Sequence, residues 1–120
     1  MKKILIVDDE ADIIEILQFV LEAQGYECIT ALDGEEGLKL AREANPDLII
    51  LDVMMPKMNG YKICRLLKFD EKYKNIPIFM VTARAQDKDK EIGEETGANE
   101  YITKPFQVDY VIEKVKSYLG

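Results

Sequence analysis

Short apolar runs alternate with stretches of helical periodicity along the chain. The first run, Ile4-Leu5-Ile6-Val7, holds no polar residue and stops at Asp8-Asp9. An unbroken run of this length suits a parallel strand covered on both faces, whereas a half-exposed strand would alternate. From about Ala11 to Gln24, Ile13, Ile14, Ile16, Leu17, Val20 and Leu21 fall at helical spacing, and Gly25 follows as a stop. Tyr26 to Ala31 reads as a second, less apolar strand. Asp33-Gly34 punctuates the chain, and Glu35 to Glu43 gives a short helix ended by Asn45-Pro46. The third strand, Leu48 to Leu51, stops at Asp52, and a loop through Met54, Pro56 and Asn59-Gly60 leads to a helix from about Tyr61 to Asp70. Pro77 precedes the fourth strand, Ile78 to Val81, which stops at Thr82. A charged helix from about Asp87 to Thr96 ends at Gly97. A fifth strand, Glu100 to Thr103, is ended by Lys104-Pro105, and a last helix runs from about Val108 to Leu119.

Strands alternating with helices predict an α/β fold of the (βα)5 type, a doubly wound five-stranded parallel sheet with helices on both faces. Ligands in such sheets bind beyond the carboxyl ends of the strands, where the strand order reverses. The order 2-1-3-4-5 is borrowed from that fold class, since the residues alone do not dictate it; it puts the crevice between the first and third strands. The first polar residues after the runs are therefore the informative ones: Asp8 and Asp9, Asp52, Thr82 and Lys104. A lone Asp after a strand is commonly a cap or turn residue. Asp9 or Glu10 would also sit well at the positive end of the first helix. Thr82 could cap, and Lys104 could be a solvated lysine. Three carboxylates, a hydroxyl and an ammonium converging from four strand ends nevertheless point to a site. The carboxylates need a counter-charge, for which a divalent cation and Lys104 are available.

Composition narrows the chemistry. The 120 residues suit one domain spanning 1–120, with 48% hydrophobic and 32% charged residues and a net charge of −7. That acidity argues against direct nucleic-acid binding. The absence of histidine excludes a Ser-His-Asp triad, histidine general bases and His-containing zinc sites. Metal chemistry falls to carboxylate and carbonyl oxygen, which favours a hard cation such as Mg²⁺. Cys28 and Cys64 form no CxxC and read as buried small hydrophobes, in keeping with a reducing, cytoplasmic setting. No apolar run approaches the ~18 residues of a membrane span. For such a constellation, phosphoryl transfer to a carboxylate fits: Asp52 attacks phosphorus to form an acyl phosphate, Asp8 and Asp9 hold the metal, and Lys104 and Thr82 contact the phosphoryl oxygens.

Over its whole length the sequence resembles a response-regulator receiver domain of two-component signalling. The stretches that carry the resemblance are Ile4-Leu5-Ile6-Val7-Asp8-Asp9-Glu10, Pro46-Asp47-Leu48-Ile49-Ile50-Leu51-Asp52, Met55-Pro56 with Asn59-Gly60, Val81-Thr82-Ala83, Gly97-Ala98 and Tyr101-Ile102-Thr103-Lys104-Pro105-Phe106. The resemblance implies a flavodoxin-like receiver fold in which Asp52 accepts a phosphoryl group from a histidine on a sensor kinase or phosphotransferase. Asp9, Asp52 and the Met54 backbone carbonyl would bind Mg²⁺ (or Mn²⁺), with Asp8 acting through metal-bound water. Thr82 and Lys104 match the family's switch hydroxyl and lysine, Tyr101 matches its switch aromatic, and the Lys104-Pro105 bond is expected to be cis. The implied protein is a cytoplasmic signalling switch, not an enzyme, beyond its own phosphorylation and slow autodephosphorylation. It would control an output partner or fused effector domain through the face of the fourth predicted helix, fifth strand and last helix. No membrane partner is implied, and the chain would be a monomer or a phosphorylation-dependent dimer.

Departures lie outside the site positions. Met54 and Arg84 stand where the family varies with phosphoryl lifetime. Lys90 and Lys114 keep the basic sense seen in receivers joined to winged-helix domains, but Ile92 replaces a usual arginine and Asn99-Glu100 a common Asp-Asp. The apolar arc of the first helix spans roughly 160°, wider than the ~100° that a one-sided helix needs. This fits either deep burial or an exposed edge for kinase docking, for which the resemblance implies Ile13 and Ile16 as the candidates. Met54, Met55 and Met58 read as loop packing, and Asp87-Lys88-Asp89-Lys90 as a solvated helix face. A haloacid-dehalogenase-type phosphatase would place a second Asp where Met54 stands. An FMN carrier would need a Ser/Thr/Gly-rich loop where Asp8-Asp9-Glu10 stands. A docking module without phosphorylation would not require the intact set.

Overall fold

Parallel strands with no polar interruption need cover on both faces, and the computed structural model shows how the chain supplies it. It describes residues 1–83 and 97–120. The predicted helix at 87–96, its alternating charges, and Arg84, Lys90 and Ile92 lie outside the described residues. Five strands, β1 (Lys3–Val7), β2 (Glu27–Ala31), β3 (Leu48–Asp52), β4 (Ile78–Thr82) and β5 (Glu100–Thr103), form one sheet in the order β2-β1-β3-β4-β5. Every pairing is parallel. The described helices are α1 (Ala11–Ala23), α2 (Gly34–Glu43), α3 (Gly60–Lys68) and the C-terminal helix (Val108–Leu119).

The two-residue period of a strand divides the apolar runs between two cores. Ile4, Ile6, Ile50, Phe79 and Val81 face α1 and the C-terminal helix, meeting Ile14, Leu17, Leu21, Val111 and Val115. Leu5, Val7, Ile49, Leu51 and Met80 face α2 and α3, meeting Leu38, Ala41, Ile63, Cys64 and Leu67. Each large side chain withdrawn from water contributes about 1.5–3 kcal/mol against the entropy of ordering the chain. Both cysteines are buried and in no disulfide, and burial first, with Glu22 and Glu27 nearby, pushes the Cys28 thiol up to about 11.

Helix ends follow the local chemistry. The Asp33 side chain caps α2 by accepting from the Glu36 N–H, and Asn59 caps α3 by accepting from the Lys62 N–H. Gly25 takes φ +94° beyond α1, a conformation that glycine adopts without the steric cost other residues meet. Asn45 follows α2 with φ 49°. Two strands reach one residue further than their apolar runs: Asp52 and Thr82 are the last residues of β3 and β4, because their backbones still pair in the ladder. Among the described residues, no helix is long and apolar enough to cross a membrane.

Candidate functional site

Register explains why the acidic residues meet. Val7 lies beside Leu51 across the β1–β3 ladder, so Asp8 and Asp52 follow one residue later on adjacent strands. Strand alternation then turns both in the direction of Ile6 and Ile50. One carboxylate oxygen from each of Asp8, Asp9 and Asp52 can be chosen so that all three lie within 4.8 Å of one another. Asp8 and Asp52 are buried and Asp9 is exposed, which leaves the cluster open on one side.

Asp8 is held at both oxygens. Its Oδ1 accepts from the Glu10 N–H at 2.8 Å, and its Oδ2 accepts from Lys104 Nζ at 2.9 Å. The ammonium also lies 3.5 Å from Asp52 Oδ1 and 3.8 Å from Glu10 Oε2. Lys104 is set there by the end of β5, where its N–H donates to the Thr82 carbonyl at 2.7 Å, and the following Lys104-Pro105 peptide is cis. One ammonium thus stands among the carboxylates of Asp8, Glu10 and Asp52, with that of Asp9 adjoining. Burial, then the charge of Asp8, pushes the Asp52 carboxyl up to about 7; Lys104 opposes this, while Asp9 adds to it through charge and a shared hydrogen bond. For Lys104 the burial effect pulls downward, but the hydrogen bond to Asp8 and the charges of Asp52, Asp8 and Glu10 leave its pKa raised.

The excess of negative charge and the all-oxygen donor set fit a hard divalent cation. Asp8, Asp9 and Asp52 are the side chains that could hold it. The Met54 carbonyl belongs to the adjacent β3–α3 loop, which Gly60 closes by donating to the Val53 carbonyl at 2.9 Å. Met54 itself is 54% exposed, unlike Met55 and Met58, which pack against the second core; the three methionines are not equivalent loop packing.

Thr82 is buried at the end of β4, beside Thr103 in register, and Tyr101 is half-buried against the second core. In α1, Ile14, Leu17 and Leu21 are buried, Ile13 is partly covered and Ile16 is 49% exposed. The wide apolar arc therefore divides between core and surface. Ile13 and Ile16 line a groove of about 440 Å³ with Glu10, Ala83, Lys104, Pro105, Phe106 and Val108. The groove thus shares Lys104 and Glu10 with the carboxylate cluster. In the sequence Glu10 reads only as a helix-end residue. Its place directly after Asp8-Asp9 is the available signal, but contact with Lys104 needs the fold.

A family profile, response regulator receiver domain, matches residues 4–116. The chain is 49% identical over 118 residues to the alkaline phosphatase synthesis transcriptional regulatory protein PhoP of Bacillus subtilis, covering 98% of this chain and 48% of that protein. It is 42% identical over 119 residues to the DNA-binding dual master transcriptional regulator RpaA of Synechocystis, covering 99% and 49% respectively. The chain thus spans about half the length of the curated relatives it matches. The solved structure of the chemotaxis protein CheY4 of Vibrio cholerae superposes with a TM-score of 0.91 at 35% identity, covering 98% of each chain.

Proposed function

The chain belongs to the response-regulator receiver family of two-component signalling, whose curated relatives are regulators and not enzymes, and on that premise we propose that residues 1–120 act as one phosphorylation-controlled receiver. The observation that carries the reading is the meeting of Asp8, Asp9 and Asp52, at the ends of the adjoining strands β1 and β3, with Lys104 from the end of β5. Asp52 is the phospho-acceptor. Its carboxylate oxygen forms a bond to phosphorus as the bond to the donor's imidazole nitrogen breaks, and the nitrogen leaves with the electron pair. Lys104 balances charge on the phosphoryl oxygens, and Thr82 donates its hydroxyl to them. Bound Mg²⁺ or Mn²⁺, held by Asp9, Asp52 and the Met54 carbonyl with Asp8 through water, would neutralise charge on those oxygens.

The donor is a sensor histidine kinase or a histidine phosphotransferase, and Ile13 and Ile16 form its docking edge. Support comes from the groove that joins these residues to Lys104. A helix seated there would bring its histidine to the open side of the carboxylate cluster. The phosphoryl group draws Thr82 and then Tyr101, altering the face of β5 and the C-terminal helix that controls an output partner or fused effector domain. The setting is cytoplasmic, with no direct nucleic-acid or membrane contact by this domain, and the chain is a monomer or a phosphorylation-dependent dimer.

Two measurements test the reading in parts. Saturating Mg²⁺ is expected to raise the melting temperature at pH 8 by several degrees, because ligand binding to the folded state alone stabilises it. No shift, with no binding heat, would remove the metal from the account. Thr82→Ala is expected to leave phosphorylation measurable while at least halving the amide chemical-shift change at Tyr101 that follows it. An undiminished change would separate Tyr101 from Thr82.

A further inference from the structure

Two glycines in the first turns of α2 are each pressed against a support of the carboxylate cluster. A Cβ on Gly34 would strike the backbone carbonyl oxygen of Met58 and lie 2.9 Å from its carbonyl carbon. A Cβ on Gly37 would lie 2.6 and 2.9 Å from the two γ-carbons of Val7, the residue before Asp8. The approach at Gly34 is to backbone, which cannot swing aside as a side-chain tip can. Met58 belongs to the short loop that links Asp52 to α3 and contains Met54. Within this loop the Met58 N–H donates to the Pro56 carbonyl at 2.8 Å, and Lys57 is held at φ 69°, a left-handed conformation that is costly for a non-glycine residue. Lys57 Nζ in turn reaches back to Asp33 Oδ2 at 3.4 Å, on the same carboxylate that caps α2 through its other oxygen.

We propose that the first turn of α2 is a positioning element for the metal site: Gly34, with the Asp33–Lys57 pair, holds the β3–α3 loop where its carbonyl can serve the cation. The inference rests on the metal reading given above and extends it to residues that touch neither metal nor phosphoryl group. Gly34 does not have a positive φ, so alanine is compatible with its backbone and would ordinarily favour the helix. What alanine cannot share is the space of the Met58 carbonyl. Alanine there must part the first turn of α2 from the loop, which changes the contact that holds the Met58 carbonyl.

Isothermal calorimetry with MgCl₂ on the whole chain tests this. Gly34→Ala is expected to weaken Mg²⁺ binding by about 10-fold, the size seen when groups that orient metal ligands are altered. Lys57→Ala, on an exposed pair, is expected to weaken it by about threefold with the fold intact. A purely structural role would change the melting temperature and leave the affinity of the folded protein alone. If Gly34→Ala folds and binds Mg²⁺ as tightly as the wild type, the inference is overturned. If Gly34→Ala does not fold, unchanged affinity in Lys57→Ala overturns it. A wild type that fails to bind Mg²⁺ refutes the metal reading and this inference with it, whereas a binding wild type with unaffected variants refutes the positioning role alone.

Discussion

Lys104→Met is expected to destabilise the metal-free protein by about 3 kcal/mol at pH 8, lowering the melting temperature by roughly 10 °C. Methionine keeps most of the aliphatic stem and removes the ammonium. Asp8 and Asp52, both buried, then face each other and Glu10 without the cation that lies 2.9 Å from Asp8. The sign follows from linkage. A lysine whose folded pKa is raised contributes stability that is fully present below its unfolded value and is lost only as pH rises through the folded one. At pH 8 the contribution is intact, so its removal is fully felt. Phosphoryl uptake should fall by about 100-fold, the scale of losing one aligned donor to developing charge. Thermal melts in EDTA decide the first part, and a variant that melts with the wild type would show that Lys104 carries no such load.

Asp52→Asn is expected to act in the opposite direction, raising the melting temperature of the metal-free protein by about 5 °C at pH 8. The Asp52 carboxyl sits at about 7 in the fold against an ordinary 3.8, chiefly because it is buried and then because Asp8 is beside it. A carboxyl with a raised folded pKa contributes most below its unfolded value, and that stability is lost as pH climbs toward and through the folded one. The wild type therefore declines relative to the Asp52→Asn variant between about pH 4 and 7, and the gap closes below about pH 4. Melts across that range measure it directly. A variant less stable than the wild type at pH 8 would mean that the carboxylate is already compensated without metal. Together the two substitutions read the site from both sides: removing a negative charge relieves it, and removing the positive one strains it.

Much of this site was legible in the chain because strand ends are local features. An apolar run that stops at Asp52 places that residue at the sheet's edge whatever the rest of the fold does, and the same holds for Asp8, Thr82 and Lys104. The strand order then decides that β1 and β3 are neighbours, and the register brings Asp8 beside Asp52. What the pattern hid were approaches across space. Nothing near Gly34 announces a backbone carbonyl from residue 58, and nothing near Lys57 announces Asp33. Periodicity in α1 also left two outcomes open. The structure divides its apolar arc, burying Leu17 while leaving Ile16 half in water, because the helix meets the sheet and the C-terminal helix on one side only. Strand ends differed by a residue at Asp52 and Thr82 because backbone pairing continues after the side chains become polar.

Whether Asp52 accepts a phosphoryl group with the help of a divalent cation is read most directly from the intact mass of the protein after incubation with acetyl phosphate. The incubation is run with Mg²⁺ or with EDTA, beside Asp52→Asn. The wild type is expected to gain one phosphoryl group with Mg²⁺ and little in EDTA, and the variant none. A folded wild type that binds Mg²⁺ and gains no mass, or a variant that gains as much as the wild type, would contradict it.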